Sequence, residues 1–258
     1  MQDVQKRPDQ RQIDIQRVGI KDLHLPLYIL QKDGKQQSVL GNLSLSADLP
    51  RHYKGSHLSR FVEILLKWSQ KTISSVELKK ILKETCSALE AQKAQIKINF
   101  KYFLSKTSPS SGGISLMDYD CEFTGRLDKK FTFILGLNVP ILTLCPCSKE
   151  ISRYGAHNQR GIIKLKIQYT GRIIWIEDLV AELEKQGSTP IYPLLKRDDE
   201  KYITEKAYEN PKFVEDVIRD VIIALRKFKT ITWYEIECED FESIHNHSAF
   251  AYQNSDLK

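Results

Sequence analysis

Two stretches of strict alternation constrain this chain more than any other feature. In Ile96-Lys-Ile-Asn-Phe100-Lys-Tyr102, and again in Ile163-Lys-Leu-Lys-Ile167-Gln-Tyr169, every second residue is large and apolar and the residues between are polar. Successive side chains of a strand point to opposite faces, so a period of two predicts strands with one dry face and one wet face. A chain containing them must supply other elements to cover the dry faces.

Those elements are legible on either side. Residues 12–48 alternate in places and read as strands. From His57 to Trp68 the period changes, and Leu58, Phe61, Val62, Leu65 and Trp68 share one helical face. A second helix begins at Ser74, which stands at capping-box spacing from Glu77, with Leu78, Ile81, Leu82, Cys86 and Leu89 following on one face. Segments 114–124 and 130–142 predict two more strands, joined by a turn near Gly125–Lys129. The second half repeats this order. After the strand at 163–169 comes a helix with Ile176, Leu179, Val180 and Leu183 on one face. Asn210-Pro211 then reads as a helix start, an N-cap followed by proline at the first helical position. Val214, Val217, Ile218, Val221, Leu225 and Phe228 continue that helix, and Ile231–Ile236 forms a last strand. The order strands, two helices, strands therefore occurs twice. This predicts an α+β chain with a polar, disordered tail at 1–12, a first unit at 13–144 and a second at 145–258.

Bulk composition excludes several classes. The chain has 258 residues, 41% hydrophobic and 28% charged, as an ordinary globular protein has. No apolar run approaches the ~20 residues that a membrane-spanning helix needs, and the polar N-terminus lacks a signal-peptide core, so a cytoplasmic protein is expected. The net charge of +6 is spread along the sequence without a Lys/Arg block, which speaks against a nucleic-acid partner. Five cysteines are an odd number, and a disulfide framework is not expected.

Chemistry concentrates in a few segments. Cys145-Pro-Cys-Ser-Lys-Glu-Ile-Ser-Arg-Tyr-Gly-Ala-His157-Asn-Gln-Arg160 packs two thiols, cations, a carboxylate and an imidazole into sixteen positions. Thiolate and imidazole are preferred ligands of zinc and similar ions. Cys-x-Cys is not the usual structural-zinc spacing, and no second Cys/His pair closes a four-ligand site. A catalytic site needs only three protein ligands and an open position. The competing reading is two buried thiols and a loop histidine. In Glu242-Ser-Ile-His245-Asn-His247, two histidines at i and i+2 share one side of an extended segment, as ligands, as an acid/base pair or as a solvated tail. Lys196-Arg-Asp-Asp-Glu200-Lys201 reads as a charged surface loop whose carboxylate can complete a metal site. Glu215 flanks the apolar row of its helix and is expected to be half-buried. Lys54-Gly-Ser-His57-Leu-Ser-Arg60 sets glycine, hydroxyls and cations at a helix N-terminus, where free N–H groups favour an anion, although helix capping accounts for most of that pattern.

Together these segments closely resemble the type IB GTP cyclohydrolase family. Cys145-Pro-Cys-Ser-Lys followed by Tyr154-Gly-Ala-His-Asn-Gln-Arg160 is the most specific part, and the matching segments run from about residue 54 to 247. The resemblance implies a tunnelling fold (T-fold) of two tandem units, each an antiparallel sheet with two helices, assembled as a homotetramer with active sites at subunit interfaces. It implies GTP as substrate and a divalent metal (zinc, manganese or iron) as cofactor. Cys145, His157 and Glu200 would be the metal ligands. Cys147, Glu242 and His245 would be catalytic. Glu215 would anchor guanine, with Lys54, His57, Arg60, Lys149 and Arg160 as candidates for the triphosphate. Cys145 and Cys147 stand two apart, and either sulfur can face the ion. The reaction implied is hydrolytic opening of the guanine imidazole ring, release of formate and closure to 7,8-dihydroneopterin triphosphate, the first step of folate and pterin synthesis. The alternatives are an archaeal-type cyclohydrolase giving a cyclic-phosphate pterin and, in a different class, a non-catalytic metal-binding or redox T-fold protein.

Overall fold

The alternating and helical segments fold into ten strands and six α-helices in a computed structural model that describes Gln5 and residues 7–255. The chain divides into two compact units that are not consecutive in sequence: Met1–Lys101 with Cys121–Leu135, and Tyr102–Asp120 with Gly136–Lys258. The division expected after residue 144 differs from this. Strands β4 (Ala94–Thr107), β5 (Ile114–Asp128) and β6 (Lys130–Leu144) are long enough that each contributes residues to both units.

In the first unit, β1 (Ile15–Leu30) pairs antiparallel with β2 (Gln36–Leu49), and β2 with the start of β4. The two-residue β3 (Thr72–Ile73) adds in parallel to β1. Helix α1 (Leu58–Ser69) buries Phe61, Ile64, Leu65 and Trp68, and α2 (Ser75–Leu89) buries Leu78, Ile81 and Leu82. Of the rows expected from the period of 3.6, Phe61, Leu65, Trp68, Leu78, Ile81 and Leu82 are buried, whereas Leu58 is exposed, Val62, Cys86 and Leu89 are half-buried, and Ile64 joins the α1 row unexpectedly. Each buried side chain contributes about 1.5–3 kcal/mol by leaving water. Ser74 caps α2 by accepting the Val76 N–H, while its own hydroxyl donates to Glu77. The turn expected at Gly125–Lys129 is tighter than the sequence suggested. Strand β5 runs on through Gly125, where an added Cβ would lie 3.1 Å from Ile96 and 3.2 Å from Leu82, and the chain reverses around Lys129 at φ 55°. Of the tail expected at 1–12, residues 1–4 and 6 lie outside the described residues. Pro8 makes a β-bridge with Tyr53, and the Arg7 carbonyl accepts the Lys54 N–H, so this part is attached rather than frayed.

The second unit holds the rest of β4, β5 and β6, then α3 (Pro146–Ile151), β7 (Asn158–Tyr169), α4 (Ile176–Leu183), β8 (Thr189–Pro190), α5 (Arg197–Glu209), α6 (Val214–Leu225), β9 (Ile231–Asp240) and β10 (Ala249–Asn254). Strand β7 pairs antiparallel with β9, β9 with β10, and β8 with β6. Helix α4 buries Leu179 and Leu183, and α6 buries Val217, Ile218 and Val221. Two boundaries correct the sequence reading. Asn210-Pro211 ends a helix instead of starting one, because the Asn210 N–H closes onto the Lys206 and Ala207 carbonyls of α5. Its side-chain amide also donates to the Gly187 and Ser188 carbonyls. Helix α6 starts only at Val214, with Asp216 accepting the Phe213 N–H. The segment read as a charged loop at 196–201 is the first turn of α5.

Candidate active site

The cysteine-rich segment leaves β6 at Leu144 and turns at once into the short helix α3. Cys145 is its N-cap, Pro146 opens it, and the Cys145 sulfur accepts the Ser148 N–H at 3.4 Å. The chain then returns through a left-handed Gly155 (φ 144°), so that the Cys145 N–H donates to the His157 carbonyl at 3.1 Å. Ser148 closes the loop a second time, its hydroxyl accepting the His157 N–H at 3.2 Å. The backbones of Cys145 and His157, twelve residues apart in sequence, are thereby fixed side by side. Cys145 is half-buried and Cys147, two residues on, is exposed.

The His157 ring is mostly enclosed. Its Nδ1 lies 3.0 Å from Gln159 Oε1 and 3.8 Å from Glu242 Oε2. Behind it runs a chain of buried polar groups: Gln159 Nε2 donates to Thr143 Oγ1 at 2.9 Å, and Thr143 Oγ1 donates to Asp240 Oδ2 at 2.8 Å. Asp240 is 1% exposed. It fits against β7 because residue 161 is glycine; a Cβ there would lie 2.3 Å from Asp240 Oδ1. Burial pushes the Asp240 carboxyl up to about 6, against the hydrogen bonds from Thr143 and Gln159, and the neighbouring Glu242 and Glu215 charges raise it further. Asp240 Oδ1 and Glu242 Oε2 are enclosed and accept no hydrogen bond among the described residues. Thr143, Gln159 and Asp240 were not among the residues expected from sequence. A signal existed for Asp240, a carboxylate in the inward phase of β9 with Ile236 and Cys238.

The other expected residues are dispersed. Glu200 is exposed in the first turn of α5, next to Asp199, which is fully buried. Asp199 accepts the Ser110 and Ser111 N–H groups, the Ser111 hydroxyl and the Lys196 N–H, tying α5 to loop 108–113. These hydrogen bonds outweigh burial and hold its carboxyl well below the usual range. Glu215 is exposed, a correction to the half-buried position expected for it. His245 and His247 are exposed and stacked, ring centroids 5.0 Å apart, in the segment between β9 and β10. Lys149 turns to Tyr208, donating to its carbonyl and lying 4.4 Å from its ring centroid, and Arg160 is exposed. In the first unit, Lys54 is exposed, His57 is the N-cap of α1, and Arg60 donates to the Ala88 carbonyl at 2.6 Å. Among the described residues no three His, Cys, Asp or Glu side chains gather closely enough to hold a metal. Cys145 and His157 share one loop, and Glu200 does not join them in a preformed cluster.

Three comparisons bear on this arrangement. The model of the family described as type I GTP cyclohydrolase folE2 matches residues 1–251. GTP cyclohydrolase FolE2 of Geobacter metallireducens is 49% identical over 258 residues, covering 100% of this chain and 98% of that protein. The protein of the same name from Thermosipho africanus is 47% identical over 257 residues, covering 99% and 98%. Among solved structures, uricase from Arthrobacter globiformis superposes with a TM-score of 0.57 at 5% identity, over 92% of each chain. A hyper-thermostable AgUricase mutant superposes at 0.58 and 6% identity, over 93% of this chain and 91% of that one. At such identity the likeness concerns fold alone, and the fold is the tunnelling fold.

Proposed function

The chain belongs to the type I GTP cyclohydrolase FolE2 family, and from that premise we propose how its residues perform the reaction. The enzyme is a GTP cyclohydrolase, a hydrolase acting on a cyclic amidine. Water adds at C8 of GTP, the imidazole ring opens, and a second water releases C8 as formate. The ribose then rearranges and closes onto the exposed amines with loss of water, giving 7,8-dihydroneopterin triphosphate, the first step of folate synthesis. The observation that carries this reading is full-length similarity to a protein named GTP cyclohydrolase FolE2. Within the family we assign the chain to type IB, on the Cys145–Arg160 string.

The residue roles are our proposal. Cys145, His157 and Glu200 would hold a divalent metal of the zinc, manganese or iron kind. Thiolate, imidazole and carboxylate suit such an ion, and the enclosed carboxylate oxygen of Glu242 beside His157 suits a cationic neighbour. When bound, such an ion lowers the pKa of a water toward ~7. His245 or Cys147 would deliver the proton that N7 must gain for the ring to open, and Glu242 would orient the attacking water. Glu215 would accept the N1–H and exocyclic amine of guanine. Adenine lacks that donor pair and would leave the carboxylate opposed by a nitrogen lone pair. Lys54, His57, Arg60, Lys149 and Arg160 are the groups proposed for the triphosphate, Lys149 by swinging away from Tyr208. A cytoplasmic homotetramer with sites at subunit interfaces completes the proposal; light scattering giving the mass of one chain with full activity would remove the interfacial part. Among the described residues no helix is long and apolar enough to cross a membrane.

The deciding assay incubates metal-reconstituted protein with GTP and follows formate and the fluorescence of the oxidised pterin. Stoichiometric formate with a noncyclic triphosphate product is expected. A cyclic-phosphate product would transfer the chain to the archaeal type, and no formate at all would sink the reading.

A further inference from the structure

The buried chain of polar groups behind His157 has a direction, and the direction fixes a proton. Asp240 as a carboxylate can only accept, so the Thr143 hydroxyl must give its single proton to Asp240 Oδ2, at 2.8 Å. Thr143 Oγ1 then has only lone pairs left. The Gln159 group facing it at 2.9 Å must therefore be the amide nitrogen, and the amide oxygen must face His157. The amide orientation thus follows from the acceptor at the far end. An amide oxygen 3.0 Å from His157 Nδ1 requires a proton on that nitrogen. The second group near Nδ1, Glu242 Oε2 at 3.8 Å, is also an acceptor and acts in the same sense. A neutral imidazole with Nδ1–H has its lone pair on Nε2.

We infer that Asp240, Thr143 and Gln159 form a positioning relay that holds His157 as the Nδ1–H tautomer and so presents Nε2 as the nitrogen available to a divalent cation. Neither Thr143 nor Gln159 touches substrate or ion; both act through His157. The inference rests on the reading of His157 as a ligand only in its last step, because the tautomer is set in the metal-free chain.

Two measurements separate these steps. Long-range proton–nitrogen NMR of the full-length, metal-free protein at pH 8, with the His157 signals identified by their loss in His157→Gln, reads the tautomer directly. Wild type is expected as Nδ1–H. Gln159→Leu removes the acceptor and is expected to populate Nε2–H; Thr143→Val, nearly isosteric, leaves the amide nitrogen only its longer 3.5 Å contact to Asp240 Oδ2 and is expected to populate Nε2–H in part. Thermal unfolding of each variant, together with unchanged signals from the remote His24 and His52, checks that the fold persists. Should one variant fail to fold, the other decides. Nε2–H in the wild type, or an unchanged Nδ1–H in a folded Gln159→Leu, would overturn the relay. Zinc alone, titrated against a chromophoric chelator, then tests the ligand reading. Groups that orient a ligand typically alter affinity by 10–100-fold, so about a 10-fold loss is expected in either variant. A shifted tautomer with undiminished zinc affinity would overturn the ligand role of His157 and leave the tautomer assignment standing.

Discussion

Asp240 gives the chain a stability signature that can be measured without substrate. The group is 1% exposed, one of its oxygens has no hydrogen-bond partner among the described residues, and its pKa is raised to about 6. Unfolded aspartate titrates near ~3.9. An acid whose folded pKa is raised binds its proton more tightly in the native state. Its contribution is fully present below ~3.9 and is lost as pH rises through about 6. Across that window the loss amounts to about 3 kcal/mol, at a limiting slope of ~1.4 kcal/mol per pH unit. Asp240→Asn removes the titration while keeping an oxygen that can accept from Thr143. Urea unfolding of both proteins at half-unit steps from pH 5 to 7.5 yields a difference in which every unaffected group cancels. The variant is expected to gain on wild type by about 1 kcal/mol between pH 5 and 6, and the difference to flatten above ~6.5. A difference flat from pH 5, or one that falls, would refute the claim that Asp240 is ionised at a cost in the folded enzyme.

Three further outcomes follow from the proposed roles. A chelator should abolish turnover, and a divalent metal should restore it; full turnover by protein shown metal-free by elemental analysis would contradict the ligand set. Glu215→Gln should lower kcat/KM for GTP at least ~30-fold, from the loss of a charged hydrogen bond worth about 1.5–3 kcal/mol and its replacement by an opposed donor. Its melting temperature should barely move, since Glu215 is exposed; near-normal kinetics would place the guanine anchor elsewhere. Asp199→Ala should lower the urea midpoint clearly more than Ser111→Ala, because the first strands four donors and the second removes one of them. Equal midpoints would show that loop 108–113 does not depend on the carboxylate.

Much of this was legible because one physical signal dominated locally. The apolar rows of α1 and α2 show the helical period, and Ser74 caps where the period begins. The misreadings arose where one residue pair suits two opposite jobs. Asn followed by Pro can open a helix or close one, since asparagine tolerates both caps and proline stops a helix as readily as it starts one. What decided was tertiary: the Asn210 amide reaches the carbonyls of Gly187 and Ser188, far off in sequence. Helix α5 looked like a loop because it carries few apolar residues, with only Asp199 and Ala207 buried. The Cys145–His157 loop was visible as a cluster of chemistry, but its closure through Ser148 and Gly155 was not. The relay was missed because it is spread over β6, β7 and β9, and only strand register brings Thr143, Gln159 and Asp240 together.

Asp240 at the end of β9, Glu242 just beyond it and Glu215 on α6 concentrate negative charge in a chain that is cationic overall. Glu242 and Glu215 both raise the Asp240 carboxyl. An enclosed carboxylate oxygen without a donor is costly, and among the described residues Glu242 Oε2 beside His157 is one. A neutral residue at 242 would relieve part of the pressure on Asp240. Buried polar groups left unsatisfied call for an explanation, and a binding role is one that supplies the missing partner. The donor edge of guanine would neutralise the field at Glu215, and a divalent cation at His157 would neutralise it at Glu242. On this argument Glu242→Gln should stabilise the metal-free protein while abolishing turnover, and should lower the Asp240 pKa, moving the pH at which the Asp240→Asn difference flattens to a smaller value. If Glu242→Gln instead destabilises the metal-free chain and leaves that pH where it was, the carboxylate belongs to the scaffold, and the acidic cluster is not held in wait for a cation.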